Sequence, residues 1–174
     1  MKKLLIFIIG GILMYSMNLT SPDFKERISL EQVYPACGGK NISPELFWSN
    51  FPQETKSFAI TMYDPDAPTD HGWWHWIVIN IPTKITHFPK NAGNPISEYF
   101  DLGFQTINDY GEIGYGGPCP PPGPPHRYII TVYALNVAGF KVSREVNPQL
   151  IAKYIKKHTI DSVSIMGLYQ RGWQ

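Results

Sequence analysis

Ionised side chains are scarce in this chain. Asp, Glu, Lys and Arg make up 17 % of its 174 residues, against about 25 % in an average soluble domain. Fifteen cations nearly balance fourteen anions, and the formal net charge is +1. Without a basic excess there is no broad positive field of the kind that non-specific nucleic-acid binding draws on, so no nucleic-acid partner is expected. Apolar runs of about 20 residues, the length a membrane helix needs, are missing too, which excludes a polytopic membrane protein. The chain holds two cysteines, Cys37 and Cys119. It has no CxxC, P-loop, GxGxxG, GxSxG or HExxH motif, which removes the commonest routes to metal, nucleotide and serine-nucleophile chemistry. There is no internal repeat and no linker.

Glycine (15) and proline (16) are abundant, above the usual share of about 7 % and 5 % but short of the combined level, about 25–30 %, at which disorder sets in. That excess points to many turns in a folded domain. Residues 1–17 differ from the rest: Lys2 and Lys3 precede the apolar run Leu4 to Met14, broken by Gly10 and Gly11. This reads as a signal-like segment, either cleaved or kept as a short anchor that touches the membrane through residues 4–14, followed by one domain over 18–174. An exported protein, periplasmic or secreted, is therefore expected. In an oxidising compartment Cys37 and Cys119 are most simply a disulfide. The alternative is Cys119 as a nucleophile with His126 as its base.

The strongest strand signals are residues 58–63, 74–81 and 127–135, rich in β-branched and aromatic residues. Weaker strands are expected near 27–33, 45–48, 85–88 and 161–166. One helix is signalled by Asn147 as N-cap, Pro148 in the first turn and a stripe of Leu150, Ile151, Tyr154 and Ile155. Many strands, long Pro/Gly loops and a late helix give the expected class: mainly β, an antiparallel β-sandwich with peripheral helices, one near the C-terminus.

Two segments are dense in chemistry: Asp64-Pro65-Asp66-Ala67-Pro68 with Trp73-Trp74-His75-Trp76, and Gly114 to Tyr128. Asp64 ends one strong strand, His75 begins the next and His126 begins the third, so the three gather at one sheet end. Strict alternation puts Asp64 on the face of Ile60 and Met62 and His75 on the face of Ile77 and Ile79, and turns Trp74 and Trp76 to one face. Asp64 and Asp66 also fit plain Asx turns, and Arg127 is expected to pair structurally with Asp66. His71 and His75 sit too far apart in extended chain to share a metal, and no metal or cofactor is expected. Anion binding fits better: amides of a Gly116-Gly117 turn and imidazole N–H groups are donors, and Asp64 can fix a histidine tautomer. No serine stands in a nucleophile motif, so binding is simpler than hydrolysis.

These residues resemble a known family. Asp64-Pro65-Asp66-Ala67-Pro68, His75 to Pro82 and Gly114-Tyr115-Gly116-Gly117-Pro118 through His126-Arg127-Tyr128 are similar to motifs of the phosphatidylethanolamine-binding proteins, also called Raf kinase inhibitor-like proteins. The stretch Cys37 to Pro44 is similar to that of the bacterial and archaeal branch, and the resemblance runs from about residue 33 to 170. It implies a β-sandwich and a small anion pocket for phosphate-type groups, including phosphoethanolamine-like head groups. Asp64, Trp73, His75, Gly117, Pro118, His126 and Tyr128 would line it. Pro124 and Pro125 depart from the family and could narrow its mouth. The resemblance implies a non-enzymatic binding or regulatory protein. The alternatives are a serine protease inhibitor or other protein-interaction module, and a hydrolase using Asp64, His75 and His126 or the Cys119–His126 pair. An exported N-terminus argues against a cytosolic kinase partner.

Overall fold

The structure is a computed structural model that describes residues 16–172. The signal-like segment, apart from Ser16 and Met17, lies outside the described residues. Along the chain run β1 (Asn18–Thr20), β2 (Leu46–Ser49), β3 (Ser57–Asp64), β4 (Trp73–Ile81), β5 (His87–Phe88), β6 (Phe104–Gln105), β7 (His126–Leu135), α1 (Pro148–His158) and β8 (Thr159–Tyr169). Short 3-10 turns stand at Pro35–Cys37 and Phe100–Leu102.

Apolar alternation on β3 and β7 builds two faces. Phe58, Ile60 and Met62 of β3, Trp76 and Val78 of β4, and Tyr128, Ile130 and Val132 of β7 bury one face against Leu19, Leu46, Trp48 and Phe88 of a smaller sheet. The large sheet is ordered β6-β4-β3-β7-β8 and the small one β1-β2-β5, with antiparallel pairing throughout. This is an antiparallel sandwich. The outer face of the large sheet, with Ala59, Ile77, Ile79 and Leu135, is covered by Ile151 and Ile155 of α1. Both faces of the central strands are therefore dry, which explains their near-continuous apolar sequence.

Helix α1 starts where Asn147 accepts a bond from the Leu150 amide, at 3.0 Å, and ends with Lys156, Lys157 and His158 in its last turn. Its buried stripe is narrower than the sequence pattern, because Leu150 and Tyr154 are exposed. Of residues 27–33, expected as a strand, only Arg27 pairs, in an isolated parallel bridge with Leu168, and the segment from Leu30 turns instead. Ser29 folds the segment back on itself, its hydroxyl donating to Gln32 Oε1 and accepting from the Glu31 amide, and such local bonds compete with a ladder. The strand near 85–88 shrinks to His87–Phe88 because Ile85 closes a turn onto Pro82. β1 and β6, of three and two residues, carry no signal of their own and exist through their partners.

Cys37 and Cys119 form a disulfide with Cα atoms 5.5 Å apart across 82 positions. It ties the first 3-10 turn to the proline-rich loop before β7.

Candidate functional site

The end of β3 and the starts of β4 and β7 meet at one end of the large sheet, around a cavity of about 240 Å³. Asp64, Trp73, His75, His126 and Tyr128 line it. Their approach depends on a β-bulge. The β3–β4 register passes from Met62↔Trp76 to Tyr63↔Trp74, which leaves His75 as the extra residue. A bulge breaks the two-residue period. His75 thereby joins Asp64 and Tyr128 on the inner face, whereas alternation had placed it with Ile77 and Ile79. Trp74 and Trp76, expected on one face, separate: Trp74 packs against the helix-side core, and Trp76 stays between the sheets.

His75 is 2 % exposed. Its Nδ1–H donates to the Gly116 carbonyl at 2.7 Å, and its ring meets Tyr128 and Tyr110 edge-on at 5.1 and 5.6 Å. Burial pushes the imidazole down to about 4, against the opposing pull of the Gly116 carbonyl and Asp64. The neutral ring therefore presents Nε2 as a lone pair, and that atom has no hydrogen-bond partner among the described residues. His126 Nδ1–H donates to Asp64 Oδ2 at 2.8 Å, while Asp64 Oδ1 accepts from the Asp66 amide in an Asx turn. The Tyr128 hydroxyl and Trp73 Nε1 are buried and also without a partner among the described residues. Burial first, and the Asp64 charge second, hold the Tyr128 phenol protonated.

Asp66 lies outside the cavity. Its carboxylate takes Arg127 Nε and Nη2 at 2.9 and 2.7 Å and the Arg127 amide at 2.9 Å. The guanidinium lowers the Asp66 carboxyl to about 2. This pair fixes the 64–73 loop to the start of β7.

Gly117 and Pro118 do not line the cavity. The Gly116 amide donates to the His75 carbonyl at 2.8 Å and the Gly117 amide to Asn41 Oδ1 at 2.7 Å, so the expected Gly-turn donors are already engaged within the protein. The Pro118 carbonyl accepts from the Tyr34 amide. Pro124 and Pro125 are exposed and do not line the cavity. The walls come instead from Ala67, Pro68, Thr69, Tyr110, Cys119, Pro120 and Pro121. Tyr110 carries no local signal in the sequence. It stacks on Tyr34 at 4.3 Å, a contact across the chain, and donates to the nearby Gly117 carbonyl. Arg171 reaches Cys119 Sγ at 3.4 Å and brings a cation to the rim. With Cys119 held in the disulfide, the thiol nucleophile considered from the sequence is lost.

The sequence profile described as phosphatidylethanolamine-binding protein matches residues 20–170. The Escherichia coli UPF0098 protein YbhB is 38 % identical over 157 residues, spanning 88 % of this chain and 99 % of its own. YbcL of the same organism is 37 % identical over 181 residues, covering 98 % and 99 %. The crystal structure of YbcL, described as a new member of the mammalian PEBP family, superposes with a TM-score of 0.86 at 38 % identity, over 89 % of this chain and 98 % of that one. A PEBP homolog from Chlamydia trachomatis gives 0.74 at 32 % identity, over 90 % and 98 %.

Proposed function

The chain belongs to the phosphatidylethanolamine-binding protein family, and we propose that it is a non-enzymatic binding protein whose cavity takes a phosphate-type group such as phosphoethanolamine. The observation that carries this reading is a small cavity whose lining residues hold buried polar atoms without partners among the described residues: His75 Nε2, Tyr128 Oη and Trp73 Nε1. Buried polar groups are normally satisfied, so a ligand with both donors and acceptors fits. A volume of about 240 Å³ suits a head group rather than a drug-sized molecule, for which about 300–1,000 Å³ is usual. Rigid prolines and aromatic rings form the walls, and Arg171 supplies a cation nearby. The ligand's ammonium can face Asp64 or an aromatic ring. Export is part of the same proposal, because disulfides such as Cys37–Cys119 persist in oxidising compartments.

Titration with phosphoethanolamine, followed by NMR of the imidazole protons, tests the site. The His75 and His126 signals should move first and saturably. Unmoved signals at about millimolar ligand, an affinity of only about 4 kcal/mol, would overturn the reading.

A further inference from the structure

We infer that a second site, separate from the proposed anion cavity, lies on the outer face of the large sheet and takes a flat, ring-bearing carboxylate. The site is a groove with an aromatic floor and a cationic lip.

Helix α1 covers only part of the outer face. Ile151 and Ile155 seal it over Ala59, Ile77, Ile79 and Leu135, and beside the helix a groove of about 670 Å³ remains. That volume falls within the range of about 300–1,000 Å³ usual for small-molecule sites. Four neighbouring strands each give one residue to its lining: Trp74 of β4, Thr61 of β3, Tyr133 of β7 and Ser162 of β8. Trp74 and Tyr133 are half-buried and pack on the helix-side core. The Trp74 ring lies 4.4 Å from that of Tyr63, and the Tyr133 hydroxyl stands 3.4 Å from that of Thr61. The helix supplies the wall. Gln149, Ala152, Lys153 and Lys156 line it, and their spacing of i, i+3, i+4 and i+7 sets them on one flank of α1.

Charge decides what such a groove holds. Lys153 and Lys156 are exposed, and among the described residues neither joins an ion pair or a hydrogen bond. No Asp or Glu lines the groove. Asp109, next to His71 at its end, is already engaged. It accepts from the Trp74 amide at 2.7 Å and from Gln149 Nε2 at 3.4 Å, and lies 3.9 Å from His71 Nε2. An anion on this floor therefore meets two uncommitted cations and no carboxylate of the lining. The floor selects the body that carries the charge. A ring against Trp74 and Tyr133 is favoured beyond the area it buries, and a methylene chain is not. A recess of this kind suits one small molecule, since a bilayer surface cannot enter it.

NMR of the full chain reads the two sites separately, because Trp73 lines the anion cavity and Trp74 the groove. The probes are naphthoate, its uncharged amide naphthamide, and decanoate. Naphthoate should shift the Trp74 indole signals saturably, with a Kd of about 1 mM or tighter. Trp73 should move less, and phosphoethanolamine should not compete. Naphthoate should bind about tenfold tighter than naphthamide, and added salt should shrink that preference by screening the exposed lysines. In a Lys153→Gln, Lys156→Gln double variant the two probes should bind alike. Gln is close to Lys in helix propensity, and the melting temperature checks the fold; if it fails, the wild-type preference and its salt dependence decide. No saturable Trp74 shift at about 5 mM, a larger shift at Trp73, equal binding of acid and amide, or a preference that survives in the double variant overturns the site. Decanoate binding as tightly as naphthoate overturns the ring-bearing ligand. Sedimentation with phosphatidylglycerol vesicles that is lost in the double variant would assign the lysines to a membrane instead, and overturns it too. None of these outcomes bears on the anion cavity, whose own readout is His75 and His126.

Discussion

His75 turns a backbone irregularity into a titration. In an unfolded chain its imidazole protonates near 6.5, and in the fold, burial lowers this to about 4. Between those values the unfolded chain binds the extra proton, so the stability linked to His75 is complete above about 6.5 and declines as pH falls toward about 4. A shift of that size corresponds to about 3 kcal/mol. Urea unfolding of the wild type should lose roughly that much between pH 7 and pH 4 through this residue, and His75→Gln should lose correspondingly less. Equal losses in the two proteins would show that His75 is protonated in the fold. The Asp66–Arg127 pair behaves differently. It is well aligned, but the Arg127 side chain is half exposed, so solvent screening keeps its contribution within the usual range for surface ion pairs, under about 1 kcal/mol. Its role is to hold a loop in place.

At the scale of elements, the loop through Gly116–Pro121 supplies cavity wall through Cys119, Pro120 and Pro121, while its Gly116 and Gly117 amides are engaged within the protein. Gly117 shows why a glycine stands there. A Cβ at that position would lie 1.9 Å from the Gln32 carbonyl oxygen and 2.8 Å from the Tyr34 amide nitrogen, both backbone atoms that cannot rotate away. Gly117→Ala should therefore destabilise the protein by about 1–3 kcal/mol, as overpacking does. It should also weaken phosphoethanolamine binding, because Cys119 to Pro121 must shift with it. Chemical unfolding and the same NMR titration check this, and an unchanged midpoint would contradict the close approach. The long strands were legible because burial on both faces leaves apolar, β-branched runs. β1, β5 and β6 were missed or overdrawn because two or three residues hold no period. The gathering of Asp64, His75 and His126 at one sheet end was legible from strand boundaries. The side of the sheet His75 occupies was hidden, since a bulge depends on register with β3 and leaves no local mark. Pro118 entered the expected lining by motif and Gly117 also as a turn donor, and Tyr110 was absent from it because its stacking on Tyr34 joins distant parts of the chain.

Seen whole, the molecule is two sheets with a core between them and a second core under α1, fastened by one long-range covalent link. Closing 82 positions is worth about 4 kcal/mol on the chain-entropy account. A Cys37→Ser, Cys119→Ser double variant should lose stability of that order in denaturant. Thiol counting on protein taken directly from outside the cytoplasm should find none free. Two reactive thiols there would overturn both the native bond in the exported form and the oxidising location proposed for it. The low overall charge acquires a meaning at this scale as well. With a net charge of +1, the proposed binding of an anion would rest on placed hydrogen bonds rather than on long-range attraction, so its affinity should depend little on salt.

Cys119 is both half of that link and part of the cavity wall. Two equilibria that share a residue are coupled, and the coupling is the same read from either side. If breaking the sulfur–sulfur bond loosens the wall and weakens the ligand tenfold, the ligand must make the bond harder to reduce by the same factor. For a two-electron couple that factor is about 30 mV. A head group in the cavity would thus be legible as a change in reduction potential, and the sandwich would report on its ligand and on the redox poise of its surroundings through one residue.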